Sequence, residues 1–129
     1  PPLRRQRQMC IRDRYNTITK GLTVSATSGG ASGDVLYTVP PAFDAEIDLL
    51  QVINGASSNK TMTIQWYHAS SQGYSNVINT KTITANDVYK VIDGDVLHLH
   101  AGDKLVCHDA ASGGCQVLLS AKEFFNLTR

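Results

Sequence analysis

From Tyr15 onward the apolar residues fall in short runs separated by turn clusters, and the runs alternate with a period of two. Lys60 to His68 is the clearest. Met62, Ile64, Trp66 and His68 point one way and Thr61, Thr63, Gln65 and Tyr67 the other, which predicts a strand with the Met62-Ile64-Trp66 face in a core. Ile18 to Ala26, Asp34 to Val39 and Phe43 to Asn54 read as earlier strands, and Pro40-Pro41 ends the second because proline lacks the ladder N–H. The third carries Ile47, Leu49, Leu50, Val52 and Ile53, a run that suits burial on both faces or a bulge. Val77-Ile78, Thr80 to Thr84, Val88 to Ile92 and Val96 to His100 read as further short strands, with Asp93-Gly94-Asp95 and Ala101-Gly102-Asp103 as turns. Lys104 to Cys107 and Gln116 to Phe124 are expected to form a last hairpin around Gly113-Gly114. No stretch holds a helical apolar period for three turns. The pattern predicts an all-β chain, a single antiparallel β-sandwich or jelly-roll-like domain of about eight to ten strands.

Charge changes where that domain begins. Of 129 residues, 12 are Lys or Arg and 11 are Asp or Glu, a net of +1. Five of the basic residues (Arg4, Arg5, Arg7, Arg12, Arg14) and one acid, Asp13, lie in residues 1–14, which leaves seven against ten and a net of −3 from Tyr15 onward. The segment RQMCIRDR at the end of that leader resembles translated sequencing adapter, a contaminant of reading frames predicted from metagenomic contigs, and the resemblance extends over residues 5–14. Residues 1–14, with Cys10, are therefore expected to be non-native and residues 15–129 to be the domain. A mildly acidic domain whose aromatics are not interleaved with Lys or Arg argues against a nucleic-acid partner. No run of about 18 apolar residues is present, so a membrane partner is not expected.

Candidate chemistry is sparse. His98 and His100, two apart on a strand, share a face and could reach one metal with His108, with Asp103 nearby. The bland alternative is a solvent-facing strand, and no cofactor is expected. Cys107 and Cys115 would lie opposite each other if Leu105 paired with Val117, which makes them a disulfide candidate. Cys107-His108-Asp109 has the atoms of a nucleophilic site, but neighbouring strand residues face opposite ways. Asp44, Glu46 and Asp48 alternate and could bind calcium, although acids on a solvated edge strand are the commoner cause. Asn59-Lys60-Thr61 and Asn126-Leu127-Thr128 match the glycosylation sequon. No catalytic residue is assigned. Tyr67, Tyr74, Tyr89, Phe124 and Phe125 are candidate contact residues, since aromatics near sheet edges and a chain end seldom stay uncovered.

Residues 15–129 resemble small virion structural proteins of marine tailed phages, of the cyanophage and pelagiphage sort. The residues that carry the resemblance are Ile18-Thr19-Lys20-Gly21-Leu22, Val35-Leu36-Tyr37-Thr38-Val39-Pro40, Gln65-Trp66-Tyr67-His68, Leu97 to Leu105, and Leu118 to Phe124. Ala85-Asn86-Asp87 and Gly102-Asp103-Lys104-Leu105 match turn elements of a wider phage set. The resemblance implies a non-enzymatic β-sandwich on the virion, as head decoration, neck or tail component. Its implied partners are copies of itself and other virion proteins of the capsid, neck or tail. Two other readings compete. One is a carbohydrate-binding or host-recognition module that stacks sugars on Trp66, Tyr67 and Tyr74. The other is a cupin-like metal protein using His98, His100 and His108.

Overall fold

The computed structural model describes residues 15–110 and 114–126. The adapter-like leader, Cys10, Gly113, and Leu127-Thr128 of the second sequon lie outside the described residues.

The described chain is all-β. Its strands are β1 (Tyr15–Thr23), β2 (Asp34–Thr38), β3 (Phe43–Asn54), β4 (Lys60–His68), β5 (Gly73–Ile83), β6 (Asp87–Leu99), β7 (Lys104–Asp109) and β8 (Gln116–Phe125), with one 3-10 turn at Gly30–Ser32. They form two four-stranded sheets, ordered β1-β8-β3-β6 and β2-β7-β4-β5, with antiparallel pairing throughout. Successive strands cross between the sheets, apart from β4 and β5, which form a hairpin. This order is a jelly roll, two interlocked Greek keys.

The core fills the space between the sheets. Ala45, Ile47, Leu50 and Val52 of β3 and Val117, Leu119 and Ala121 of β8 face Met62, Ile64, Leu105 and Cys107 of the second sheet. Each fully buried Ile or Leu here contributes about 1.5–3 kcal/mol. A side-chain hydrogen bond spans the core. The Tyr37 hydroxyl on β2 donates to Glu123 Oε2 on β8 at 2.6 Å, and both residues are buried. Burial and the Glu123 carboxylate push the Tyr37 phenol well above its ordinary range.

Of the two alternatives for β3, burial on both faces or a bulge, the structure has the bulge, as a register shift between Ile47 and Leu49 that lets Leu50 and Val52 rejoin the core face. Four expectations fail. Val77-Ile78 and Thr80 to Thr84 belong to one strand, β5. Thr80 takes a left-handed conformation (φ 53°) there, and its N–H donates to Thr63 Oγ1 at 2.9 Å. Asp93-Gly94-Asp95 is an irregularity inside β6, with Gly94 at φ 92°, where a residue without Cβ is favoured. The acids of β3 do not sit on an edge strand, since β3 lies between β8 and β6. The last two strands are not a hairpin: β7 pairs with β2 and β4, and β8 with β1 and β3.

The segment between β1 and β2 lies over the outer side of β7. A Cβ on Gly33 would sit 2.4 Å from Val106 Cγ1, so this close approach needs glycine. Asp34 anchors the crossover by accepting the N–H groups of Ser25 (2.7 Å) and Ala26 (3.0 Å). Those two bonds outweigh burial and hold its carboxyl below the usual range.

Candidate functional site

The most elaborated polar group lies at one end of the sandwich, where the β2–β3, β4–β5 and β6–β7 connections meet. Asp103 follows Gly102, whose positive φ of 85° sets the tight turn after His100. The turn is tied to β2 through Val39 N–H to Asp103 O (2.9 Å) and Gly102 N–H to Val39 O (3.0 Å). This backbone directs the Asp103 side chain inward, where it is 4% exposed. Its Oδ2 accepts the Trp66 indole N–H and the His100 amide N–H, both at 3.0 Å, and its Oδ1 accepts the Ala69 amide N–H at 3.0 Å. Burial would raise this carboxyl. The N–H groups of Ala69, His100 and Trp66, with the nearby His100 ring, outweigh burial and hold it below the usual carboxylate range. The carboxylate thus fixes the indole and both turns together.

Beside this hub is a cavity of about 520 Å³ lined by Trp66, His68, Ser70, His100 and Asp103, with Ala69 and Ala101 at its sides. The Trp66 and His68 rings are 4.3 Å apart and tilted by 35°, and His68 Nε2 lies 2.8 Å from Ser75 Oγ. The expected platform of Trp66, Tyr67 and Tyr74 divides in two, because adjacent strand residues face opposite ways. Trp66 packs against the core and borders the cavity. Tyr67 and Tyr74 pair on the outer face of the second sheet, 5.0 Å apart, with Lys104 Nζ 5.4 Å from the Tyr67 ring.

The three candidate metal-binding histidines are not brought together. His98 and His100 lie on the outer side of the first sheet, while His108 lies on β7 beneath Gly29. Alternation from core-facing Leu99 and Cys107 turns each of them away from the core. His98 instead faces Glu46 across the strands at 3.6 Å, and His100 faces Asp44 at 3.5 Å. Among the described residues no group of three or more His, Cys, Asp or Glu is placed to hold a metal ion. Asp44 also accepts the Asn126 side-chain N–H at 2.8 Å, and the bulge after Ile47 breaks the Asp44-Glu46-Asp48 alternation.

The cysteine expectation fails with the hairpin. Cys107 and Cys115 are free and buried, on or beside strands of opposite sheets. Burial, with Asp34 nearby, pushes the Cys107 thiol up to about 12. Burial and Asp109 push Cys115 up to about 11. Thiols this far above neutrality are poor nucleophiles.

The candidate contact aromatics divide as well. Tyr89 is half-buried beneath the Lys81 ammonium, which lies 4.9 Å from its ring. Phe124 and Phe125, adjacent on β8 and so on opposite faces of its sheet, each pair with one ring at the corner formed by the ends of β1, β3 and β8. Tyr15 meets Phe124 at 5.5 Å and Phe43 meets Phe125 at 5.4 Å. Tyr15 stays 45% exposed and Phe125 48%. Tyr15 and Phe43 had no distinguishing signal in the sequence, because their role depends on the pairing of β1 and β3 with β8. The Asp103 hub had a partial one: a buried tryptophan needs a partner for its N–H.

No family model matches the chain, and no curated protein matches it significantly. Among the solved structures that resemble it at the level of the chain trace are two β-rich ones. One is a chain of Bacillus endospore appendages, a family of disulfide-linked pili, with a TM-score of 0.46 and 9% identity over 91% of this chain and 95% of that one. The other is the globular domain of zebrafish complement 1qA protein, with a TM-score of 0.44 and 10% identity over 90% of this chain and 99% of that one. At TM-scores below 0.5 neither likeness bears on what this chain does.

Proposed function

We propose that this chain is a non-enzymatic structural subunit of a tailed-phage virion, a head-decoration, neck or tail component that works by self-association and by docking on other virion proteins. The observation that carries the assembly part is the aromatic corner. Two ring pairs, one on each face of the sheet, lie where three strand ends meet, and one ring of each pair, Tyr15 and Phe125, remains about half exposed. Rings held by the ends of paired strands offer apolar area that loses little side-chain freedom on burial, as a subunit contact requires. The phage part rests on the sequence resemblance. The partner at the corner is a second copy of the chain, with capsid, neck or tail proteins as further partners.

Sedimentation velocity of the full chain across a wide concentration range tests it. Reversible self-association that is lost in a Tyr15→Ser/Phe125→Ser double variant is the expected result. A chain that stays monomeric at the highest concentration, and that fails to cosediment with tailed-phage heads or tails, overturns it.

A further inference from the structure

We propose that the cavity between the β4–β5 and β6–β7 connections is a binding site for a neutral saccharide. Its volume, about 520 Å³, is that of a small-ligand site. The Trp66 and His68 rings, 4.3 Å apart, supply an apolar surface for the C–H face of a sugar ring. Ser70, which is exposed, and His100 also line the cavity, and a hydroxyl and an imidazole can exchange hydrogen bonds with sugar hydroxyls. The site is preorganised, because the Trp66 indole is fixed by its bond to Asp103, and Asp103 also holds both connections through Ala69 and His100.

The charge balance selects a neutral ligand. Both Asp103 oxygens already accept N–H donors, His100 faces Asp44 at 3.5 Å, and neither Lys nor Arg lines the cavity. An anionic sugar would find no cation held ready for it. This inference concerns a different surface from the aromatic corner and adds ligand binding to an assembly role.

Trp66 is the only tryptophan of the chain, so intrinsic fluorescence reports directly from the site. The full chain would be titrated with the methyl glycosides of glucose, galactose, mannose and N-acetylglucosamine, with glucuronate and sialic acid as anionic arms, up to concentrations on the order of 10 mM. A saturable emission change with at least one neutral glycoside is expected. It should weaken about three- to tenfold in His68→Ala and in Ser70→Ala, and be unchanged in Tyr74→Ala on the outer face. Ser70 is exposed, so Ser70→Ala serves if His68→Ala does not fold. No saturable change with any neutral glycoside, a preference for the anionic sugars, or a response equal to wild type in the cavity variants overturns the proposal.

Discussion

Two groups of aromatic residues sit at the same end of the sandwich, and they are held in different ways. Trp66 is tied through its indole N–H to a buried carboxylate that also binds two backbone N–H groups, and His68 packs against the indole. Tyr15, Phe43, Phe124 and Phe125 are held by ring contacts and strand pairing. In the first group orientation is set by directional bonds, and the neighbouring cavity keeps its shape. In the second, position is set by the sheet, and apolar area is left facing outward. The first arrangement suits selection of a small ligand, and the second suits a broad contact with another subunit.

The largest expected effect comes from removing the polar anchor. Asp103→Ala leaves three N–H donors without their acceptor and should cost about 3 kcal/mol, read from urea unfolding, with a red shift of Trp66 emission. If its cost were as small as that of a corner variant, the contrast between the two regions would collapse. Acid sharpens the same point. Asp103 and Asp34 both have carboxyls held below the ordinary range in the folded state. Their stabilisation is therefore complete above the unfolded value, about 3.9, and is lost as pH falls through the lower folded values. Thermal melts between about pH 5 and pH 2 should show that loss, and Asp103→Asn should flatten the profile.

Tyr37→Phe tests whether the buried Tyr37–Glu123 bond between the sheets behaves like the Asp103 hub. It leaves the buried Glu123 acceptor without its donor and should cost about 2 kcal/mol by the same urea assay. Tyr15→Ser and Phe125→Ser should each cost less than about 1 kcal/mol in folding, because both rings are already half solvated. Their effect should appear in the association constant. A corner variant that unfolds the chain while leaving association intact would reverse the contrast.

Local chemistry made much of this legible in the sequence. Phe43–Asn54 and Lys60–His68 have the expected bounds, because alternation marks one face and Pro40-Pro41 and the Asn54-Gly55 turn mark the ends. The interruptions misled. Asn79-Thr80 and Asp93-Gly94-Asp95 have the composition of turns, but a turn and a bulge use the same permissive residues, and only the neighbouring strand decides between them. The Cys107–Cys115 expectation assumed that strands adjacent in sequence pair in space. A jelly roll sends most successive strands to opposite sheets, so that assumption fails here for a topological reason. Asp103 was visible as a possible metal ligand. Its three N–H donors come from positions 66, 69 and 100, which no local spacing connects.

The order β1-β8-β3-β6 also sets a schedule for the growing chain. Strands β1 and β3 do not touch as neighbours; β8 is the piece that joins them. Until residues 116–125 leave the ribosome, β1 has no partner in its sheet and β3 keeps an open edge. At about 5–20 residues per second this interval lasts on the order of ten seconds, with the edge of β3 that β8 will pair left open. The same non-local closure places refolding in the millisecond-to-second range of β-sandwiches rather than the faster range of helical bundles. The half-built sheet offers an unpaired strand edge and the finished corner offers exposed rings, so misassociation during synthesis and association of finished chains are separated by time as well as by place.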